Sequence, residues 1–266
     1  MLKESIVVVG GYRHRVHTFR GQGYRQTLLC LHGFGSDGLG SFGPVAVDLA
    51  GRGFDVVAPD LLGFGNSSAP DGTAKLYSLE AYSERTMELV IKLGLDRPIV
   101  IGHSMGGKIA ASAVSASPKQ FSGLVLVNSG GFTLAETIFA HVAPWVLVQA
   151  AIASDPFRKT LIAPFPFGRM VASRRRRDEL RRLAPALRSL ELTSNGTKDR
   201  LATMAAATLI LWGVDDKILG RHVPQRIARL IPGSRLHYIR GGHAPMVSAP
   251  EDFCDAVDVF ATQLVR

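Results

Sequence analysis

The chain has 266 residues, of which 46% are hydrophobic and 20% are charged, and its formal net charge at pH 7 is +9. This composition excludes global disorder, and the presence of only two cysteines excludes a disulfide scaffold and a cysteine-built zinc site. No stretch approaches the roughly 20 apolar residues that span a bilayer, and the N-terminal apolar run is too short for a signal peptide, so we expect a cytoplasmic protein with no membrane span.

Short apolar runs alternate with helical patterns along the chain. The first two runs are joined by Gly10-Gly11 and predict a β-hairpin. The later runs are continuous and rich in Val, Leu and Ile, which is typical of strands buried on both faces of a parallel sheet. The predicted strands are 5–9, 13–19, 27–31, 54–58, 98–101, 123–127, 208–212 and 235–239.

Helical spacing of three and four residues predicts helices over 77–93, 105–117 and 250–265. Strands that alternate with helices indicate a layered α/β fold with helices on both faces of the sheet. No strand pattern is found from about residue 132 to residue 201, and prolines divide this interval into short pieces. Because the interval lies between two predicted strands, it is interpreted as an insertion into the core.

A candidate nucleophile follows the fifth predicted strand. Ser104 lies in Gly102-His103-Ser104-Met105-Gly106, a G-x-S-x-G pattern between a strand and a helix. A strained turn there exposes the serine hydroxyl, and the helix N-terminus directs N–H groups at a developing oxyanion. An ordinary phosphate-binding turn is the alternative, but no Gly-Lys-Ser/Thr follows, which disfavours it.

A serine nucleophile needs a base and a residue that orients the base. His243 lies in the loop after the last predicted strand, which makes it the candidate base. Asp215 and Asp216 follow the preceding strand, and spacing alone leaves the choice of acid open. Asn128 follows another strand at a place where an acid would fit, but an amide cannot stabilise an imidazolium by charge.

An oxyanion hole needs two N–H donors. The residue after the nucleophile, Met105, supplies one candidate, and Phe34, in the loop after the third strand, supplies the other. His32 lies in the same loop, where we expect it to fix the loop's shape by hydrogen bonds.

Together these residues resemble the motifs of the α/β-hydrolase superfamily. The matching segments occur in the family's order: HGFG (32–35), APDLLGFGNSS (58–68), GHSMGG (102–107), LWGVDD (211–216) and GGHAP (241–245). The resemblance implies a mostly parallel eight-stranded α/β-hydrolase core, formed by 1–131 and 202–266, with a helical cap at 132–201. It also implies Asp216 as the triad acid and Asp60 as a structural turn aspartate.

Two departures narrow the resemblance. The nucleophile is Ser104 rather than Asp, which excludes haloalkane dehalogenases and epoxide hydrolases. Carbon–carbon hydrolases of ring-cleavage products usually have Asn where this chain has His103, so that activity loses ground. The GHSMGG form is similar to that of small carboxylesterases and thioesterases, although lactonases share it.

The charge of the chain is concentrated in the expected cap. Residues 158–200 contain twelve Lys or Arg and four Asp or Glu, which leaves a net charge of +1 elsewhere. The run Arg174–Arg177 spreads over all sides of a helix, so it is interpreted as a solvated face; alternatively, one or two arginines hold an acidic substrate. No nucleic-acid motif accompanies the charge, so we expect no nucleic-acid partner. Candidate pocket residues are His103, Phe139 and Trp145.

The sequence thus predicts a serine hydrolase that acts on a small ester, thioester or lactone, with no metal and no cofactor. Three alternatives stay open: a carbon–carbon bond hydrolase, an acyltransferase, and a non-catalytic receptor on the same scaffold. The physiological substrate, the acyl chain length and the oligomeric state are not determined by the sequence.

Overall fold

The computed structural model describes residues 2–71, 75–130 and 195–264. These residues form one eight-stranded sheet in the order β1-β2-β4-β3-β5-β6-β7-β8, in which β2 is antiparallel to both of its neighbours, β1 and β4, and the remaining neighbouring pairs are parallel. The predicted fold class is confirmed. The strands are β1 Leu2–Val9, β2 Tyr12–Phe19, β3 Gln26–Leu31, β4 Phe54–Pro59, β5 Ile99–His103, β6 Gly123–Val127, β7 Thr208–Gly213 and β8 Arg235–Ile239.

The central strands are apolar at consecutive positions because both faces of the sheet are covered. In β3, Leu29 and Leu31 pack into the core on one face, whereas Leu28 and Cys30 pack into the core on the other. Successive side chains of a strand point to opposite faces, so burial on both sides requires a continuous apolar run.

Helices cover both faces of the sheet. Among the described residues the helices are α1 Gly38–Gly51, α2 Leu79–Lys92, α3 Met105–Ala116, α4 Asn195–Ala202, α5 Val223–Leu230, α6 Pro245–Ser248 and α7 Pro250–Leu264. Helices α2, α3 and α5 contribute side chains to the core on the face of Leu29 and Leu31. Helices α1 and α7 contribute to the core on the face of Leu28 and Cys30.

Helix α1 was not predicted from the sequence. It contains four glycines and Pro44, which are poor helix formers. Two features compensate: the Asp37 side chain accepts a hydrogen bond from Gly40 N at the N-terminus, and a buried face that includes Phe42 and Leu49 packs against the sheet. Tertiary burial therefore outweighs weak local propensity here.

The predicted cap lies almost entirely outside the described residues, and with it lie Phe139, Trp145 and Arg174–Arg177. Only its last part is described: α4 contacts α3, and Leu201 is fully buried. A search of the described helices finds none with both the length and the apolar character needed to cross a membrane.

Candidate active site

The turn between β5 and α3 holds Ser104 in a strained conformation. Its φ is 51° and its ψ is −115°, values that a residue with a side chain rarely adopts. The turn is fixed by hydrogen bonds on both sides: Ser104 N donates to Val127 O at 3.0 Å, and Ser104 O accepts from Gly107 N at 3.1 Å and from Ser129 Oγ at 3.2 Å. Neighbouring elements thus maintain the strain.

Close backbone packing explains why Gly106, two residues after Ser104, is a glycine. A Cβ atom on Gly106 would lie 2.2 Å from Leu31 O, in the adjacent strand β3. Only a residue without a side chain allows α3 to begin this close to the sheet. The packing of α3 against β3 therefore requires the last glycine of the G-x-S-x-G pattern.

Asp216 and His243 are hydrogen-bonded to each other where β7 and β8 end. Asp216 Oδ2 lies 2.9 Å from His243 Nδ1, and the side chains are 2% and 17% exposed. Because a carboxylate only accepts, Nδ1 carries the proton, and it is Nε2 that has the lone pair in the neutral form of the ring. Asp215, the other candidate acid, is exposed and makes no side-chain hydrogen bond to any described residue.

Asp216 is held as an anion. Burial by itself raises its pKa, but the hydrogen bond and charge of His243, together with donors from Asn128 and the Leu219 backbone, outweigh burial and bring the pKa below its ordinary value. Asp216 Oδ1 accepts from Ile218 N at 2.7 Å and from Leu219 N at 3.1 Å. The carboxylate is therefore ionised at neutral pH and is ready to stabilise a protonated imidazole.

Asn128 is a further member of this group of contacts, and the sequence did not assign it that role. Its Nδ2 donates to Asp216 Oδ2 at 2.8 Å, and its Oδ1 accepts from Gly213 N at 3.0 Å. The side chain is fully buried, and its φ of 41° directs it toward the end of β7. The only sequence signal for this role is its position directly after a predicted strand, and the pairing of β6 with β7 is what brings it to Asp216.

The predicted oxyanion loop, residues 32–35, lies against the Ser104 turn. A Cβ atom on Gly33 would be 3.2 Å from Ser104 Cβ, so the loop and the serine are in contact. Neither Phe34 N nor Met105 N donates a hydrogen bond to any described residue. Both N–H groups are thus available to an oxyanion.

His32 fixes the shape of this loop, and Asp60 fixes the turn that follows β4 and the start of α1. His32 Nδ1 lies 2.8 Å from Gly33 O, and His32 Nε2 accepts from Leu61 N at 3.0 Å. Asp60 accepts from Gly38 N at 2.9 Å and from Asn66 N at 2.8 Å. These contacts agree with the structural roles expected for His32 and Asp60.

His103, a predicted pocket residue, is held by the described residues beside the candidate base. Its side chain is buried, and its Nε2 lies 2.8 Å from the backbone oxygen of His243. Burial, with a smaller contribution from the nearby His243, lowers the pKa of His103 to about 3. The packing of β5 against the His243 loop thus turns this side chain away from bulk solvent.

The lowered pKa of His103 predicts a pH-dependent stability. Between an unfolded pKa of about 6.5 and the folded value of about 3, the unfolded chain binds a proton that the folded chain does not, so stability is fully present above this range and falls with pH within it. Urea unfolding of wild type should lose up to about 1.4 kcal/mol per pH unit from this group. His103→Gln should lose less stability than wild type between about pH 7.5 and about pH 5.5, and equal losses would contradict the assignment.

No group of three or more His, Cys, Asp or Glu side chains suited to a metal ion is found in the part of the chain that the structure describes. What the described residues do bring to one edge of the sheet is the strained Ser104 turn and the hydrogen-bonded pair Asp216 and His243.

Comparison with known proteins identifies a family and several relatives. The sequence model of the alpha/beta hydrolase family matches residues 28–256. Lipase 3 of Moraxella sp. (strain TA144) is 29% identical over 91% of this chain and 79% of that protein. The 2-hydroxymuconate semialdehyde hydrolase of Pseudomonas putida is 26% identical over 97% of this chain and 93% of that protein.

A solved structure is similar over the whole chain. The crystal structure of a membrane phospholipase A, described as a bacterial virulence factor, has a TM-score of 0.82 and 25% sequence identity. The alignment covers 100% of this chain and 87% of that one.

Proposed function

Because the chain belongs to the alpha/beta hydrolase family, we propose that it is a serine hydrolase that cleaves a carboxylic ester, thioester or lactone through an acyl-enzyme on Ser104. The observation that carries the proposal is the buried hydrogen bond between Asp216 and His243 at the sheet edge where the strained Ser104 turn lies. The similarity to a lipase supports an ester as the bond that is cleaved.

In this mechanism Ser104 Oγ attacks the carbonyl carbon while its proton passes to His243 Nε2. Asp216 stabilises the imidazolium, and the N–H groups of Phe34 and Met105 bind the oxyanion. The tetrahedral intermediate then collapses, and the leaving alkoxide or thiolate takes the proton from His243. Water next attacks the acyl-enzyme and gives a proton to His243. When this second tetrahedral intermediate collapses, the bond to Ser104 Oγ breaks, Oγ takes the proton back from His243, and the carboxylic acid leaves.

A carbon–carbon bond hydrolase is the second candidate function. The relative from Pseudomonas putida, a 2-hydroxymuconate semialdehyde hydrolase, favours it, since the match covers nearly the whole of both chains. The histidine at position 103, where such enzymes usually have asparagine, disfavours it.

The proposal is tested with a fluorophosphonate probe and a substrate panel. We expect the probe to label one site, which peptide mass spectrometry assigns to Ser104, because the probe's phosphorus takes the place of the acyl carbon in the first step. We also expect turnover of short-chain p-nitrophenyl esters. Comparing their turnover rates with those of thioesters and lactones shows which of the three bonds the protein cleaves fastest.

The same panel separates the two candidates when it includes a ring-cleavage diketone bearing a carboxylate. Cleavage of the diketone without turnover of any ester would favour the carbon–carbon hydrolase. The absence of both labelling and turnover would overturn the serine hydrolase proposal.

A further inference from the structure

Two hydrogen bonds to described residues hold the candidate base. One joins His243 Nδ1 to Asp216, and the other joins the backbone oxygen of His243 to His103 Nε2, at 2.8 Å. The rest of the His243 loop is partly exposed. Neighbouring loop residues are held as well, since Asp215 N donates to Gly241 O at 2.9 Å and Gly242 N donates to Ser248 Oγ at 3.2 Å. His243 itself is held by one contact at the ring and one at the backbone.

The hydrogen-bonding state of His103 follows from its partner. A carbonyl oxygen only accepts, so His103 Nε2 carries the proton and donates. The other nitrogen, Nδ1, is buried and makes no hydrogen bond to any described residue. The side chain is thus a neutral donor with a fixed orientation, and burial keeps it neutral by lowering its pKa to about 3.

His103 also contacts the other two parts of the site. Its backbone is bonded directly to Ser104, and its ring centroid lies 5.0 Å from that of His243. A Cβ atom on Gly33 would lie 2.7 Å from His103 Nδ1, so the predicted oxyanion loop packs against the same ring. His103 is therefore part of the nucleophile turn, and its buried side chain contacts the predicted oxyanion loop and the base loop.

We propose that His103 is a positioning residue that sets the place of the His243 imidazole relative to Ser104, by holding the His243 backbone with its Nε2–H. The proposal rests on the proposed serine hydrolase function. It assigns His103 no part in proton transfer, because its donor is already committed to a carbonyl and it touches no reacting atom. Its effect is exerted on geometry, to which proton transfer between serine and histidine is sensitive.

Two variants separate the donor from the ring. His103→Phe keeps an aromatic ring but lacks the donor, whereas His103→Gln places an amide N–H near the position of Nε2. We expect His103→Phe to lower kcat by about 10- to 100-fold with KM changed by less than about 2-fold, because a misplaced base slows chemistry without removing substrate contacts. His103→Gln should recover most of that loss.

A spectroscopic measurement tests the same proposal without a substrate. The downfield proton resonance of His243 Nδ1–H reports the hydrogen bond to Asp216, and we expect it to shift or broaden in His103→Phe and to return in His103→Gln. His14→Phe is the matched control, because it removes another buried histidine, which lies on β2 with its Nδ1 3.2 Å from the backbone oxygen of Asp60. This variant should change stability but neither kcat nor the resonance.

The outcomes distinguish this proposal from the proposed function. If wild type is active and folded His103→Phe retains kcat within about 2-fold, the positioning role is wrong. If wild type shows neither turnover nor probe labelling, the hydrolase proposal fails. The resonance of His243 Nδ1–H then tests the positioning role by itself, and an unchanged resonance in His103→Phe overturns the inference. Thermal unfolding of each variant verifies that the protein under test is folded.

Discussion

Replacing Ser104 with alanine should lower kcat for the best ester by about 10⁴-fold or more and should abolish labelling by a fluorophosphonate. The reason is that the proposed acyl-enzyme forms on the Ser104 hydroxyl, so without it only substrate binding and oxyanion stabilisation of direct water attack are left. The fold should persist, since alanine keeps the Cβ atom and all three hydrogen bonds of the turn are made by main-chain groups of residue 104. Steady-state kinetics with a sensitive chromogenic ester measure the loss.

Ser115→Ala provides the matched control for this substitution. Ser115 lies near the C-terminal end of α3, and its hydroxyl donates to Ser112 O at 3.0 Å, away from the site. We expect its kcat to stay within about 2-fold of wild type. A Ser104→Ala protein that retains a tenth or more of the activity would mean that another residue is the nucleophile.

The strands could be predicted from the sequence because burial on both faces leaves a continuous apolar signal. In β3 every residue from Thr27 to Leu31 is buried, so no polar position interrupts the run. Helix α1 gave no such signal: its glycines and Pro44 lower local propensity, and what stabilises it is packing onto strands that are distant in sequence. Local patterns identify elements that carry their own signal, and tertiary burial determines the rest.

The candidate site was predictable where a residue type and a turn coincide, as at Ser104. It was less predictable where side-chain direction decides the contact. Asp215 and Asp216 differ by one position, and only the turn after β7, in which Asp216 N donates to Gly213 O, directs the second aspartate inward. The contacts of Asn128 and His103 depend on which strands are neighbours in the sheet, and a local sequence pattern does not contain that information.

Changing Asp216 to asparagine should lower kcat by about 10⁴-fold while leaving the protein folded. An asparagine at 216 keeps an oxygen for Ile218 N and Leu219 N if its NH₂ group replaces Oδ2. That NH₂ then faces the Nδ2 donor of Asn128 and the ring nitrogen of His243. To accept from it, the imidazole must move its proton to Nε2, where it can no longer take the proton of the serine.

The neighbouring aspartate supplies a control with the same chemistry and the same loss of charge. Asp215→Asn should keep kcat within about 2-fold of wild type, because its side chain is exposed and contacts neither His243 nor Asn128. Comparing kcat of the two variants at neutral pH, with unfolding by urea as a check on stability, separates an effect on the tautomer from an effect on total charge. Equal losses in the two variants would show that charge at this loop matters and that the hydrogen bond to His243 does not. A loss confined to Asp216→Asn is the result that a buried, ionised partner of His243 requires.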